Sequence, residues 1–243
     1  MKKFLIILCA MAVVFGWATS GVAIPIYDYN QPPTADAMVD SANPLTNYGS
    51  IDTLLIQGSS FALGSKKMSY LKFDLSSISI PAIPDSAITF ISAELGIYFY
   101  ERNLGGIGWI APEVSLHRVS DDSWTEGGIT YNNQPSPGSI SDPFVDILQP
   151  QQPGYLTWDL LLTSSNPDTY TWPSLNNPDL ADTDNYVSFF IQPAELDKNQ
   201  WAKFWSREGS PQPYLKITYI PEPATVALLG LGALSLLRRK RSA

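Results

Sequence analysis

Between Ile24 and Ile220 the chain alternates apolar and polar positions. In MSYLKFDL, Ser69, Leu71, Phe73 and Leu75 fall on one side, with Met68, Tyr70, Lys72 and Asp74 on the other. ISAELGIYFY sets Ala93, Leu95, Ile97 and Phe99 against Glu94, Gly96, Tyr98 and Tyr100. YVSFFIQ repeats the pattern with Val187, Phe189 and Ile191, and YLKITYI does so with Leu215, Ile217 and Tyr219. TLLIQG, EVSLHRV, YLTWDL and AKFWSRE are shorter runs of the same kind. A period of two belongs to a half-buried strand, because successive side chains leave opposite faces of a sheet. Proline, glycine, serine and asparagine punctuate these runs, and no long helical period intervenes. About nine such strands predict an all-β fold of two packed antiparallel sheets, a β-sandwich or jelly roll. Leu162 to Asn185 is polar and carries Pro167, Pro173 and Pro178, so it reads as a long loop.

The two ends are apolar without alternation. MKKFLIILCAMAVVFGWATSGVA opens with Lys2 and Lys3, continues apolar and closes on small residues. That is the layout of a signal-peptide helix over residues 1–23, cut after Ala23 with Gly21 two places before it. A cut after Ser20 and an uncleaved anchor are the alternatives. At the other end Ala224 to Leu237 is uncharged, and Arg238, Arg239, Lys240 and Arg241 follow at once. Helical rise makes this run about 21 Å long, against roughly 30 Å of bilayer hydrocarbon. It reads as a short transmembrane helix over 224–237 that crosses only with thinning or snorkelling, its basic end held in the cytoplasm. Pro221, Glu222 and Pro223 precede it, and the two prolines keep that segment extended. This order closely resembles the PEP-CTERM sorting signal of Gram-negative bacteria that make exopolysaccharide. The resemblance implies processing by an exosortase, a membrane cysteine transpeptidase; a plain tail anchor is the other reading. The organisation expected is a signal peptide at 1–23, one domain at 24–220 and a sorting tail at 221–243.

Charge narrows the partners. The whole chain has 15 basic and 23 acidic residues; residues 24–220 keep 9 and 22 of them, a net charge of −13. Such a surface excludes nucleic acid and repels polyanions. Cys9, the one cysteine, lies in the signal peptide, so the exported domain has no disulfide and must hold itself by packing, with a metal as further support. Calcium is the fitting ion, since it takes hard oxygen ligands. Asp179, Asp182 and Asp184 in DLADTDNY form one candidate group, and Asp36 and Asp40 before SANPLTNYG form another. An EF-hand loop is excluded, because the fifth position counted from Asp182 is Tyr186. Ordinary solvated acids are the alternative for both groups.

Enzyme chemistry finds little footing. His117, the one histidine, sits inside EVSLHRV and reads as a sheet residue with an ordinary hydrogen bond. One histidine without cysteine cannot make the usual zinc site, and no spacing marks a carboxylate pair for glycoside hydrolysis.

Aromatic residues carry the remaining chemistry. Trp109, Trp172 and Trp201 lie beside glycine, proline or polar residues, and Tyr98 and Tyr100 lie opposite an apolar face. These five are candidate rings for stacking on sugars, with incidental exposure as the alternative. Trp158 and Trp205 stand among apolar neighbours and read as core. In SWTEGGITYNNQP, Trp124 reads as a plug at a sheet end and Gly127–Gly128 as a turn before a strand at Tyr131. Asn132, Asn133 and Gln134 there read as bonds to loop backbone.

The order ADAMVDSANPLTNYGSIDTLLIQG, SYLKFDLSSI, ITFISAELGIYFY, VSLHRVSDDSWTEGGITYNNQPSPG, FWSREGSPQPYLKITY resembles the DNRLRE, or disaggregatase-related, domain from Ala35 to Tyr219. The resemblance implies a β-sandwich module, in some members one that binds acidic polysaccharides such as alginate. A net charge of −13 argues for a different sugar here. The expectation is an exported, non-catalytic surface or matrix protein that binds or organises extracellular polysaccharide. An adhesion or biofilm-matrix protein without a sugar site, and a polysaccharide-degrading enzyme, are the alternatives.

Overall fold

The computed structural model describes residues 27–58, 64–76, 88–102, 112–136, 152–160, 186–196 and 200–221. These hold ten strands and no helix. They are β1 (Tyr27–Gln31), β2 (Ala35–Asp40), β3 (Thr53–Gln57), β4 (Lys67–Asp74), β5 (Ile88–Arg102), β6 (Val114–Val119), β7 (Gly154–Asp159), β8 (Tyr186–Pro193), β9 (Trp201–Trp205) and β10 (Tyr214–Pro221). Eight of them fall on the alternating runs. β1 and β2 were not anticipated: YDYNQ and ADAMVD are polar or acidic, and they become strands through their partners β10 and β4. The two terminal helices and the Leu162–Asn185 loop lie outside the described residues.

Every strand pairing is antiparallel. The strands run in the order β1-β10-β5-β9-β3-β4-β8-β6, with β2 added on β4 and β7 on β5. Between β3 and β4 only Gln57 and Lys67 pair. This one joint lets the sheet fold over into two layers. The first holds β1, β3, β5, β7, β9 and β10; the second holds β2, β4, β6 and β8.

Facing side chains fill the space between the layers. Leu95, Ile97 and Phe99 of β5, Trp158 of β7 and Phe204 of β9 meet Leu71 and Phe73 of β4 and Phe189 of β8. Each such buried side chain contributes about 1.5–3 kcal/mol relative to exposure. Trp158 is fully buried, as its sequence context predicts.

β5 is long because it serves three partners. Its Phe99 pairs with Gly154 of β7 and with Phe204 of β9, so these two strands lie on opposite edges. Its Leu95 likewise pairs with Trp158 of β7 and with Leu215 of β10. β9 and β10 therefore follow one another along the same edge, interrupted by an excursion over residues 206–213.

The second layer differs from the half-buried expectation. Met68 and Tyr70 of β4 and Phe190 of β8 are buried on its outer face too. They join Ala37, Val39, Trp124 and Ile129 in a second apolar cluster. The covering segment is the SWTEGGITYNNQP block. Trp124 lies over the strands rather than plugging a sheet end, and its Nε1 donates to Ser188 Oγ at 3.1 Å. Lys72 Nζ donates to the carbonyls of Asp122 and Trp124 and stands 4.7 Å from the Trp124 ring centre. Tyr70 Oη donates to Gln134 Oε1 at 2.9 Å. Tyr131 lies in a turn, not a strand. Asn133 takes the Thr130 N–H and donates to the Gly128 carbonyl, and Gln134 donates to the Tyr131 carbonyl, the backbone bonding that was expected.

Candidate carbohydrate-binding face

On the first layer the inward positions of β5, β7, β9 and β10 are apolar, so every second residue faces out. Tyr98 pairs in register with Tyr155 of β7, and their rings meet edge to face at 5.2 Å. Tyr214 of β10 lies across Gly96, on the other side of β5, and its ring meets Tyr155 at 5.1 Å. Only a glycine permits this: a Cβ at residue 96 would stand 2.3 Å from carbons of the Tyr214 ring. Along the same face Tyr100 stacks on Trp205, with centres 4.2 Å apart and planes within 16°. Trp201 faces outward two positions before Lys203, whose ammonium lies 4.9 Å from the indole and 2.7 Å from Glu101. Gly209 of the 206–213 excursion lies against the Trp205 ring at one edge of this row.

Polar groups sit beside the rings. Tyr214 Oη donates to Glu94 Oε1 at 2.6 Å, and Tyr155 Oη donates to the Gln212 carbonyl at 3.1 Å. Tyr100 Oη shares a hydrogen bond of 2.9 Å with Thr53. Burial, and then the bond to Glu94, push the Tyr214 hydroxyl well above its usual range. Burial and the neighbouring Tyr98 raise that of Tyr155. Both stay neutral donors across the physiological range. Tyr155 is the most open ring, 42% exposed.

Of the five rings singled out in the sequence, Tyr98, Tyr100 and Trp201 share this face; Trp109 and Trp172 lie outside the described residues. Tyr155, Tyr214 and Trp205 were missed. Trp205 was assigned to the core, but it alternates with buried Ala202 and Phe204 and therefore faces out. The signal for the other two was present: once Trp158 and Leu215 are inward, Tyr155 and Tyr214 must be outward.

The acidic residues divide. Asp40 is a structural group: it pairs with Lys67 at 3.5 Å and accepts from the Ala42 N–H and the Asn43 amide. Asp36 meets Glu126 and Glu208 instead, with carboxylate oxygens within 4.8 Å of one another. Arg207 closes the group. Its N–H donates to Asp36 at 2.7 Å, and its guanidinium lies 3.5 Å from Glu126 and 3.0 Å from Glu208. Burial first, with Glu208 and Glu126 adding to it, pushes the Asp36 carboxyl up to about 8, against the Arg207 backbone bond. Glu126 belongs to the segment covering the second layer, and Arg207 and Glu208 to the excursion beside the aromatic row. This cluster thus clasps the two together. Asp179, Asp182 and Asp184 lie outside the described residues.

His117 is buried on the second layer against Phe190, within 3.1 Å of Ser115 Oγ and of Gln192 Nε2. It holds a sheet position, as expected.

An antiparallel sandwich with an outward aromatic row has the architecture of a sugar-binding module. The chain belongs to Carbohydrate-binding module family 96, which it matches over residues 28–162. Residues 220–241 match the PEP-CTERM protein-sorting motif, which marks an exported, surface-sorted protein of Gram-negative bacteria. No curated protein matches the chain. The structural unit extends past the module match, since β8, β9 and β10 supply Phe189, Phe204 and Leu215 to the common core. Trp205 and Tyr214 also lie beyond the matched stretch.

Proposed function

We propose that the aromatic row on the first layer is the carbohydrate-binding surface of a non-catalytic module that organises extracellular polysaccharide. The observation that carries this reading is the Tyr98–Tyr155–Tyr214 group, continued by Tyr100 and Trp205, on one outward face. Flat rings cover the C–H faces of a sugar, while Glu94 and the tyrosine hydroxyls meet its hydroxyl groups. In the precursor, Ala224 to Leu237 holds the tail in the membrane, Arg238 to Arg241 stay on its cytoplasmic side, and an exosortase acts at Pro221–Glu222–Pro223. A glycan array tests the surface. Tyr155→Ala and Trp205→Ala should each weaken the best ligand by about tenfold or more, equivalent to about 1.4 kcal/mol. Unchanged binding in both variants would move the site elsewhere, and a chain that binds no glycan would be a structural matrix protein.

Calcium has one place among the described residues, the Asp36–Glu126–Glu208 group, where it would replace the Arg207 guanidinium as counter-charge. Uptake must also release the Asp36 proton, so stabilisation by calcium should grow as pH rises toward 8. Identical melting in calcium and in chelator at pH 8 and fixed ionic strength would rule the ion out.

A further inference from the structure

A cleft of about 680 Å³ opens between the β1–β2 crossover and the 206–213 excursion. Its size falls within the roughly 300–1,000 Å³ of small-molecule sites. Gln31, Thr34, Ser76 and Gln212 supply amides and hydroxyls, and Tyr29 and Pro32 add apolar surface. We infer that this cleft binds a neutral sugar unit, as a second site separate from the aromatic row.

The charges decide the class of ligand. Asp74 and Glu208 face the cleft with Arg207 as the single cation on its wall. That cation is already engaged by Glu126 and Glu208 and donates to the Thr34 carbonyl. A uronate would meet two carboxylates and no available counter-charge. A neutral sugar offers hydroxyl donors, and a carboxylate can accept several.

The walls are built before any ligand arrives. Arg207 is fixed to Asp36 and Thr34, Ser206 Oγ donates to the Ile51 carbonyl at 2.7 Å, and Tyr29 Oη donates to the Asp74 carbonyl at 2.7 Å. A preformed wall lowers the ordering cost of binding. The excursion separates the two sites. Gln212 gives its backbone carbonyl to Tyr155 on one side, while its side chain donates to the Arg207 carbonyl and lines the cleft. Gln212→Ala therefore strips the cleft and leaves the acceptor used by the row.

The ten strands and two apolar clusters of the described residues all fall between Tyr27 and Pro221, so residues 24–221 carry both clusters whole. Amide spectra of this segment should be followed during titration with cellobiose, maltose, mannobiose and, for contrast, a diuronate. At least one neutral disaccharide should shift the Gln31, Thr34 and Gln212 signals to saturation, and the diuronate should not. Gln31→Ala combined with Gln212→Ala should weaken this response about tenfold or more while the Tyr155 signals still move. Ser76→Trp, at an exposed position, should block it by volume. Tyr155→Ala should leave it intact, which separates failure of the row from failure of the cleft. Still cleft signals with every neutral probe, an equal response to the diuronate, or loss of the response in Tyr155→Ala would overturn the inference.

Discussion

The outer faces of the two layers begin from similar sequence and end in opposite states. Both carry aromatic residues at alternate strand positions: Tyr70 and Phe190 on the second layer, Tyr98, Tyr155 and Tyr214 on the first. On the second layer a loop brings Trp124 and Ile129 down on these rings and Lys72 ties its carbonyls in place. The rings there work for stability. On the first layer the rings pack mainly on each other along the surface, with Gly209 against Trp205 at one edge, and Tyr155 stays open to a partner. The same residue type at the same strand period is core or site according to what the rest of the chain lays over it.

This contrast can be broken from either side. Trp124→Ala removes the centre of the covered face and should cost about 3–5 kcal/mol in urea unfolding. Tyr155→Ala, on the open face, loses two ring contacts and should cost less, about 1 kcal/mol. Similar losses for the two would mean that both faces are structural.

The clasp between the faces is open to titration. Asp36 holds its proton to about pH 8 when folded, against an ordinary value of 3.8. Between those values the unfolded chain binds fewer protons than the folded one. Stability from this group is therefore greatest in acid and falls as pH rises through the window, with the loss complete above it. The difference in unfolding free energy between the parent and Asp36→Asn should carry that slope. A pH-independent difference would mean that Asp36 is ionised in the fold.

Gly96→Ala sharpens the contrast at smaller scale. The added Cβ must push the Tyr214 ring off β5, at about 1–3 kcal/mol, and break its bond to Glu94. Glycan binding should fall while the Trp124 environment, read by its indole N–H resonance, stays as it was.

The inner core was legible because its period is local: Leu95, Ile97 and Phe99 announce their face without reference to any other segment. The second cluster was not, because it depends on where residues 121–136 come to rest. Nothing within MSYLKFDL says that its second face is also buried. β2 was missed for a related reason: ADAMVD has little strand character of its own, and its register is set by β4. Trp205 shows how local company misleads. Its apolar neighbours suggested the core, whereas its parity, opposite that of Phe204, placed it outside. Asp36 was recognised as a candidate ligand, but its companions Glu126 and Glu208 are brought to it only by the tertiary fold.

Pro221, the first residue of the sorting motif, is also the last residue of β10, paired with Ile88. Any pull on the tail thus enters the domain along β10, with no slack between them. β10 is gripped on both edges, by β1 from Tyr27 to Gln31 and by β5 from Ile88 to Gly96. Force along an antiparallel strand held this way loads its hydrogen bonds together in shear instead of peeling them one at a time. A module tethered through this end would take up tension along β10, against the hydrogen bonds on both of its edges.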